Sequence, residues 1–73
     1  MNVETIRKRL SKERPHIVRT SDGDQYVALH PEFVWVGRHN LVIEDEKGGV
    51  DVIDPLHVVA IRRATSSVIN DRK

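Results

Sequence analysis

The chain has 73 residues, a formal net charge of +1 and no cysteine. This length predicts one small domain, and the absence of cysteine excludes disulfide bonds and cysteine-ligated zinc. The balanced charge excludes a uniformly basic or acidic protein, but the charges are unevenly distributed along the chain. Residues 1–14 and 62–73 each carry a net charge of +3, whereas residues 15–61 carry −5. Two basic ends therefore flank an acidic middle.

The first segment, residues 2–12, has the pattern of a short amphipathic helix. Asn2 can cap its first turn, and apolar residues recur behind it at helical spacing, at Val3, Ile6 and Leu10. Pro15 disfavours helical geometry in the residue before it, so we expect the helix to end near residue 12. The other face of this segment is basic, with Arg7, Lys8, Arg9, Lys12 and, just beyond it, Arg14.

After the proline, the sequence predicts short strands separated by turn residues. Residues 16–20 and 25–29 flank Asp22-Gly23, a dipeptide typical of a two-residue hairpin turn, which sets Val18 opposite Val27. Further strands are predicted at residues 33–36, 41–45, 50–53 and 57–61. The runs 33–36 and 58–61 are apolar on both strand faces, which indicates either a strongly bent barrel strand or an edge used for self-association.

These elements, one helix and five or six short strands, predict a mainly β protein, in which a short N-terminal α-helix precedes a small five-stranded bent antiparallel barrel. The domain is expected to span residues 1–63, with the helix at 2–12 and the barrel at 16–63, and residues 64–73 to form a flexible tail. A closed barrel is favoured because an open sheet of such short strands leaves its edges exposed. The aromatic residues are expected in the core: Tyr26, Phe33 and Trp35.

The segment Arg38-His39-Asn40-Leu41-Val42-Ile43-Glu44-Asp45 resembles the end of the first sequence motif of Sm-like proteins, and Asp22-Gly23 resembles the turn that opens it. This family includes the bacterial RNA chaperone ring and has an SH3-like barrel behind a short helix. The resemblance covers residues 3–62 and implies that Asn40 helps to bind an RNA base. The chain departs from the family at Ala28, where glycine is usual, and at Asp54-Pro55, which stands in place of Arg-Gly.

A second resemblance is to a group of short bacterial proteins that carry no assigned function. It rests on Asp22-Gly23, His30-Pro31-Glu32-Phe33 and Asp54-Pro55-Leu56-His57-Val58. This resemblance implies a bacterial protein and no particular activity.

The sequence has no pattern of a catalytic or metal site. No two of the four histidines, which are His16, His30, His39 and His57, lie within four residues of each other, and zinc sites use closer spacings. The serines and threonines lack a neighbouring His–Asp pair, and the acidic run at residues 44–46 is typical of a solvated strand end. We therefore expect no enzymatic activity, no metal and no cofactor.

The leading functional hypothesis is a non-enzymatic binding module, an oligomeric Sm-like RNA-binding protein. In it, His39 and Asn40 contact a base, while Arg7 and Lys8 hold phosphate. The expected partners are further copies of the chain and single-stranded RNA. The alternative is a protein–protein interaction module with no nucleic-acid role. The N-terminus is too polar for a signal peptide and no run is apolar enough to span a bilayer, so a cytoplasmic location is expected.

Overall fold

The computed structural model of the chain describes residues 1–64. The predicted helix is the first element of the chain. Helix α1 spans Val3–Leu10, and the Asn2 Oδ1 atom accepts hydrogen bonds from the backbone N–H groups of Glu4, at 2.7 Å, and Thr5, at 3.4 Å. The predicted cap is therefore confirmed, and the helix is shorter than residues 2–12. No helix in this part of the chain is long and apolar enough to cross a membrane.

Six short strands follow the helix. Two 3-10 turns, Pro31–Phe33 and Pro55–His57, lie before the third and the last of them. The strands are β1 (His16–Thr20), β2 (Gln25–Ala28), β3 (Val34–Val36), β4 (Leu41–Glu44), β5 (Val50–Ile53) and β6 (Val58–Arg63).

The strands form two three-stranded antiparallel sheets. In the first sheet β1 lies between β2 and β6, and in the second β4 lies between β3 and β5. The predicted mainly β class with one N-terminal helix is confirmed for residues 1–64. A single closed five-stranded barrel is not confirmed, because these residues form two separate sheets. The chain passes between the sheets at Pro31 and Pro55, whose nitrogen atoms cannot donate to a strand ladder.

The predicted register of the first hairpin is wrong by one residue. Val18 lies opposite Tyr26 rather than Val27, because the loop holds three residues, 21–23, instead of two. Gly23 has φ 93°, the left-handed conformation that three-residue hairpin loops place at their last position. The Asp22 carboxylate accepts hydrogen bonds from the Thr20 hydroxyl and from the Asp24 N–H, so its side chain stabilises the longer loop.

The core lies between the two sheets, and α1 closes it. Ile6 is fully buried and Leu10 is 3% exposed. Besides these two, the buried cluster consists of Val18, Ala28, Leu41, Ile43, Ile53, Val58 and Ile61, which come from five of the six strands.

Backbone contacts hold both ends of the described chain. The Met1 ammonium donates to the carbonyl oxygens of Pro55, at 2.9 Å, and Val58, at 3.0 Å, so the segment before α1 is fixed on the turn between β5 and β6. The Ala64 N–H donates to the Pro15 carbonyl at 3.0 Å. Ala64 is buried and is tied by this bond to the residue that precedes β1. The rest of the predicted tail, residues 65–73, lies outside the described residues.

Replacing Ile6 with alanine is expected to lower the free energy of unfolding by about 2–5 kcal/mol, because it removes fully buried methyl groups and leaves a cavity. The loss is large for a chain whose total stability is on the order of 4–11 kcal/mol. Urea denaturation followed by circular dichroism measures it. Lys8→Ala, on the exposed face of the same helix, is the matched control. Equal midpoints for the two variants would show that α1 does not close the core.

Candidate nucleic-acid interface

The cations of α1 are arranged around its buried stripe. Successive helical residues are about 100° apart, so the burial of Ile6 and Leu10 fixes the direction of their neighbours. Arg7 and Arg9 flank the buried stripe on opposite sides, and Lys8 points away from it. All three cations are exposed. The helix therefore presents one cation toward each sheet and one toward solvent.

On one flank, Arg7 reaches the second sheet. Its Nη2 atom donates to the Val36 carbonyl at 3.1 Å, at the end of β3. A shallow cleft of about 520 Å³ lies beside it, lined by Asn2, Val3, Glu4, Arg7 and Arg38. Arg7 thus lies at the base of the β3–β4 turn and shares a cleft with the first side chain of that turn.

The β3–β4 turn carries the residues predicted to contact a base. The Gly37 N–H donates to the Asn40 carbonyl at 2.8 Å, which leaves Arg38 and His39 at the tip of a two-residue loop. His39 and Asn40 are exposed, and within residues 1–64 the Asn40 side chain makes no hydrogen bond. Its amide is therefore available to a ligand. The cleft that Arg7 lines includes neither of these two residues nor Lys8.

On the other flank of the helix, a second cleft collects three cations around a buried histidine. It has a volume of about 200 Å³ and is lined by Arg9, Lys12, His16, Ile61 and Arg63. His16 and Arg63 meet because they are opposite each other in the β1–β6 ladder. The lining has no acidic residue. Helical spacing predicted the basic positions of Arg9 and Lys12 but not their convergence with Arg63, because the β1–β6 pairing joins positions 47 residues apart.

His16 is 6% exposed, and the cleft perturbs its protonation. Burial lowers the pKa of its imidazole from the ordinary 6.5, and the positive charge of Arg14 and, less strongly, that of Lys12 lower this pKa further. A hydrogen bond with the Arg14 backbone acts in the opposite direction. The neutral imidazole is thus favoured among the cations.

We call the six cations that run across the helix from one cleft to the other the basic band. Its members are Arg38, Arg7, Lys8, Arg9, Lys12 and Arg63. Among residues 1–64 no lysine or arginine forms an ion pair, and the one close histidine–carboxylate contact joins His30 and Glu32, at 3.9 Å. Glu4 lines the Arg7 cleft without forming an ion pair. No acid in the described part of the chain therefore neutralises the band at short range.

The second sheet presents a different surface on its solvent side. Trp35 was expected in the core, and this prediction is wrong, since the residue is 61% exposed. Tyr26 packs against the core and Phe33 is half-buried. Trp35 lies opposite Val42, which in turn lies opposite Val52. We call Trp35, Val42, Val50 and Val52 the apolar outer face.

Trp35 is held over the backbone of Gly37. A Cβ atom at position 37 would collide with the six-membered ring of the indole, so the ring occupies space that only glycine leaves free. Gly37 is itself buried. The exposed indole therefore packs against the backbone at the end of its own strand.

One serine–histidine contact was not anticipated. The Ser21 Oγ atom lies 3.4 Å from His57 Nδ1, and the Ser21 N–H donates to the His57 carbonyl at 2.8 Å. Hydrogen bonding from Thr20 holds the pKa of the Asp22 carboxyl below its usual range. Within residues 1–64 no carboxylate hydrogen-bonds to His57, so the contact lacks the third member of a catalytic triad. No cluster of metal-ligating side chains occurs in the same residues.

Comparisons with protein-family models, with curated proteins and with solved structures give no match. The resemblance to Sm-like proteins therefore rests only on the motifs of the sequence. Function has to be inferred from the side chains of this chain.

The stability of the protein is expected to fall as the pH is lowered from 7 to 5. The His16 pKa is depressed in the folded state, so in this range the unfolded chain binds more protons and acid favours unfolding. The lowered Asp22 pKa acts only nearer its usual value of 3.8. Urea midpoints at several pH values measure the effect, which His16→Gln should reduce and His39→Gln should leave in place. A wild-type midpoint that is constant over this range would contradict the expectation.

Proposed function

We propose that the chain is a small non-enzymatic binding module of the bacterial cytoplasm whose ligand is single-stranded RNA. The observation that carries the proposal is the basic band, in which cations on both flanks of α1 have no acidic partner among residues 1–64. Nucleic-acid affinity comes largely from neutralising backbone phosphates with Lys and Arg. A net charge of +1 for the whole chain is compatible with RNA binding, because the phosphates interact with the local charge of the basic band and not with the average charge of the chain.

The direction of the band supports a strand that crosses the helix. Arg7 and Arg38 would hold phosphates at one end, and Arg9, Lys12 and Arg63 at the other, with Lys8 between them. The neutral His16 at the second end adds a hydrogen-bonding group without adding charge. Such contacts position a strand without reading its sequence.

Base contact is assigned to His39 and Asn40, where the Sm-like resemblance places it. Both residues are exposed beside the Arg7 end of the band, and single-stranded RNA offers unstacked base edges to such polar groups. The proposal includes the architecture that goes with the resemblance, in which the two sheets are halves of a small bent Sm-like (SH3-like) barrel. The order of one helix and then strands supports it. A homo-oligomer would repeat the band around an assembly and strengthen its field.

Reversing charge in the second cleft is expected to weaken RNA binding without regard to sequence. The double variant Arg9→Glu/Lys12→Glu should lower the affinity for short U-rich and A-rich RNA about tenfold or more. It should also flatten the salt dependence by roughly one unit of slope for each phosphate that no longer meets a cation. Fluorescence anisotropy over a salt series measures both quantities. Lys47→Glu, in the β4–β5 loop, is the control for a lysine-to-glutamate reversal outside the band. Wild-type affinity in the double variant would contradict the band.

Removing the polar side chains of the β3–β4 turn should act differently. Asn40→Ala and His39→Ala are expected to reduce the preference between U-rich and A-rich RNA while leaving the salt slope unchanged, because these side chains contact bases and hold no phosphate. The same anisotropy titrations test this. Unchanged discrimination in both variants would remove the base-reading role of the turn while leaving the band intact. Arg7→Glu should instead weaken binding to both RNAs alike.

The second candidate function is a protein–protein interaction module with no nucleic-acid role. It is favoured by the exposure of five large hydrophobic residues, which are Trp35, Val50, Val52, Leu56 and Val59. Three of them, Trp35, Val50 and Val52, share the outer side of the second sheet, and contiguous exposed apolar surface is typical of interaction sites. The absence of RNA binding even at low salt would select this function over the first.

A further inference from the structure

The two sheets carry charge of opposite sign. The strands of the first sheet contain three arginines and no acid, and the strands of the second contain two acids and no base. The arginines are Arg19, Arg62 and Arg63, and the acids are Glu44 and Asp51. The net charge of +1 for the whole chain conceals this difference in charge between the two sheets.

Strand alternation places part of each charge on a solvent-facing surface. In β4, Leu41 and Ile43 are buried, so Val42 and Glu44 point outward, and Glu44 lies opposite Val50. Glu44 therefore sits within the apolar outer face, on the central strand of the second sheet.

The first sheet has the corresponding arrangement with a positive charge. In β1, Arg19 is the one exposed residue, and alternation places it on the side opposite Val18, together with the buried Ile17. Arg62 lies on the same side, since it pairs with Ile17, two residues from Arg19. Ala60, opposite Arg19, leaves the arginine accessible. We call Arg19, Arg62 and their apolar neighbours Ile17, Ala60 and Val27 the cationic outer face.

We propose that the apolar outer face of the second sheet docks on the cationic outer face of the first sheet of a second copy of this chain. The contact removes the Trp35 indole and two exposed valines from water and sets Glu44 against Arg19 and Arg62. The two faces are complementary in charge, and each copy carries both. A second copy is therefore a sufficient partner, and no other protein is needed to cover either face.

The arrangement is head-to-tail and not two-fold. Two apolar outer faces packed on each other would bring the two Glu44 carboxylates into one interface with no cation among its strands, and like charges in an interface are costly. A head-to-tail contact leaves one face of each kind free at the ends of a pair, so further copies can add. This docking specifies the homo-oligomer of the proposed function and does not require RNA, because the basic band lies on α1 and its flanks.

Trp35 is the single tryptophan of the chain, and its fluorescence reports the contact directly. As the protein is concentrated from the nanomolar to the high micromolar range, the emission maximum should move to shorter wavelength while the mass from light scattering rises above 8.4 kDa. A monomeric mass with a constant emission maximum throughout would overturn the proposal. Emission that responds to RNA but not to protein concentration would also overturn it, and would make Trp35 a base-stacking platform.

Charge reversal identifies which faces meet. Glu44→Arg and Arg19→Glu should each weaken association roughly tenfold, because each converts an attraction into a repulsion. The double variant, in which an arginine again faces a glutamate, should recover most of the affinity. Glu32→Arg, in the first 3-10 turn, is the charge-matched control for Glu44→Arg. Circular dichroism confirms that each variant is folded.

Two further outcomes test the proposal. If Glu44→Arg weakens association while Arg19→Glu and Arg62→Glu leave it unchanged, another surface contacts the apolar outer face and the proposal is overturned. RNA titrations on the same samples separate the two functions. A monomer that binds RNA refutes the docking alone, whereas an assembling protein that binds no RNA refutes only the RNA ligand.

Discussion

The packing of Ile6 and Leu10 against both sheets is the interaction on which the other features of the domain depend. A helix of eight residues is not stable by itself in water, and sheets of three short strands need a second layer to bury their apolar side. Each sheet covers the apolar side of the other, and the helix closes the core between them. The same two side chains fix the helix rotation, and thereby send Arg7 toward the second sheet and Arg9 toward the first. The burial of Ile6 and Leu10 thus stabilises the domain and also positions the helical cations of the basic band.

Features of the fold that are encoded within a few residues could be predicted from the sequence. The Asn2 cap and most strand positions are of this kind, since each follows from a cap, a turn residue or a proline nearby. The hairpin register could not be predicted in the same way, because Asp22-Gly23 is compatible with two loop lengths. The choice depends on side-chain hydrogen bonds of Asp22 that only the folded loop displays. The division into two sheets likewise depends on long-range pairing.

The candidate interface likewise has one part that could be predicted from local sequence and one part that depends on long-range pairing. The basic face of the helix could be predicted because helical spacing alone reveals it, whereas the cleft around His16 depends on a strand pairing with Arg63 far along the chain. For Trp35, the prediction from the sequence is wrong. Hydrophobicity suggests burial, but its neighbours in β3, Val34 and Val36, are the ones that pack against the core. The alternation of a strand only three residues long turns the indole outward.

The contact between the Trp35 ring and the Gly37 backbone has a consequence for recognition. A large side chain on a surface normally gives up rotational freedom when a partner covers it, and that entropic cost weakens binding. Because Gly37 has no Cβ atom, the indole ring packs against its backbone already in the single chain. In the proposed docking, Gly37 would therefore lower this entropic cost without itself touching the partner.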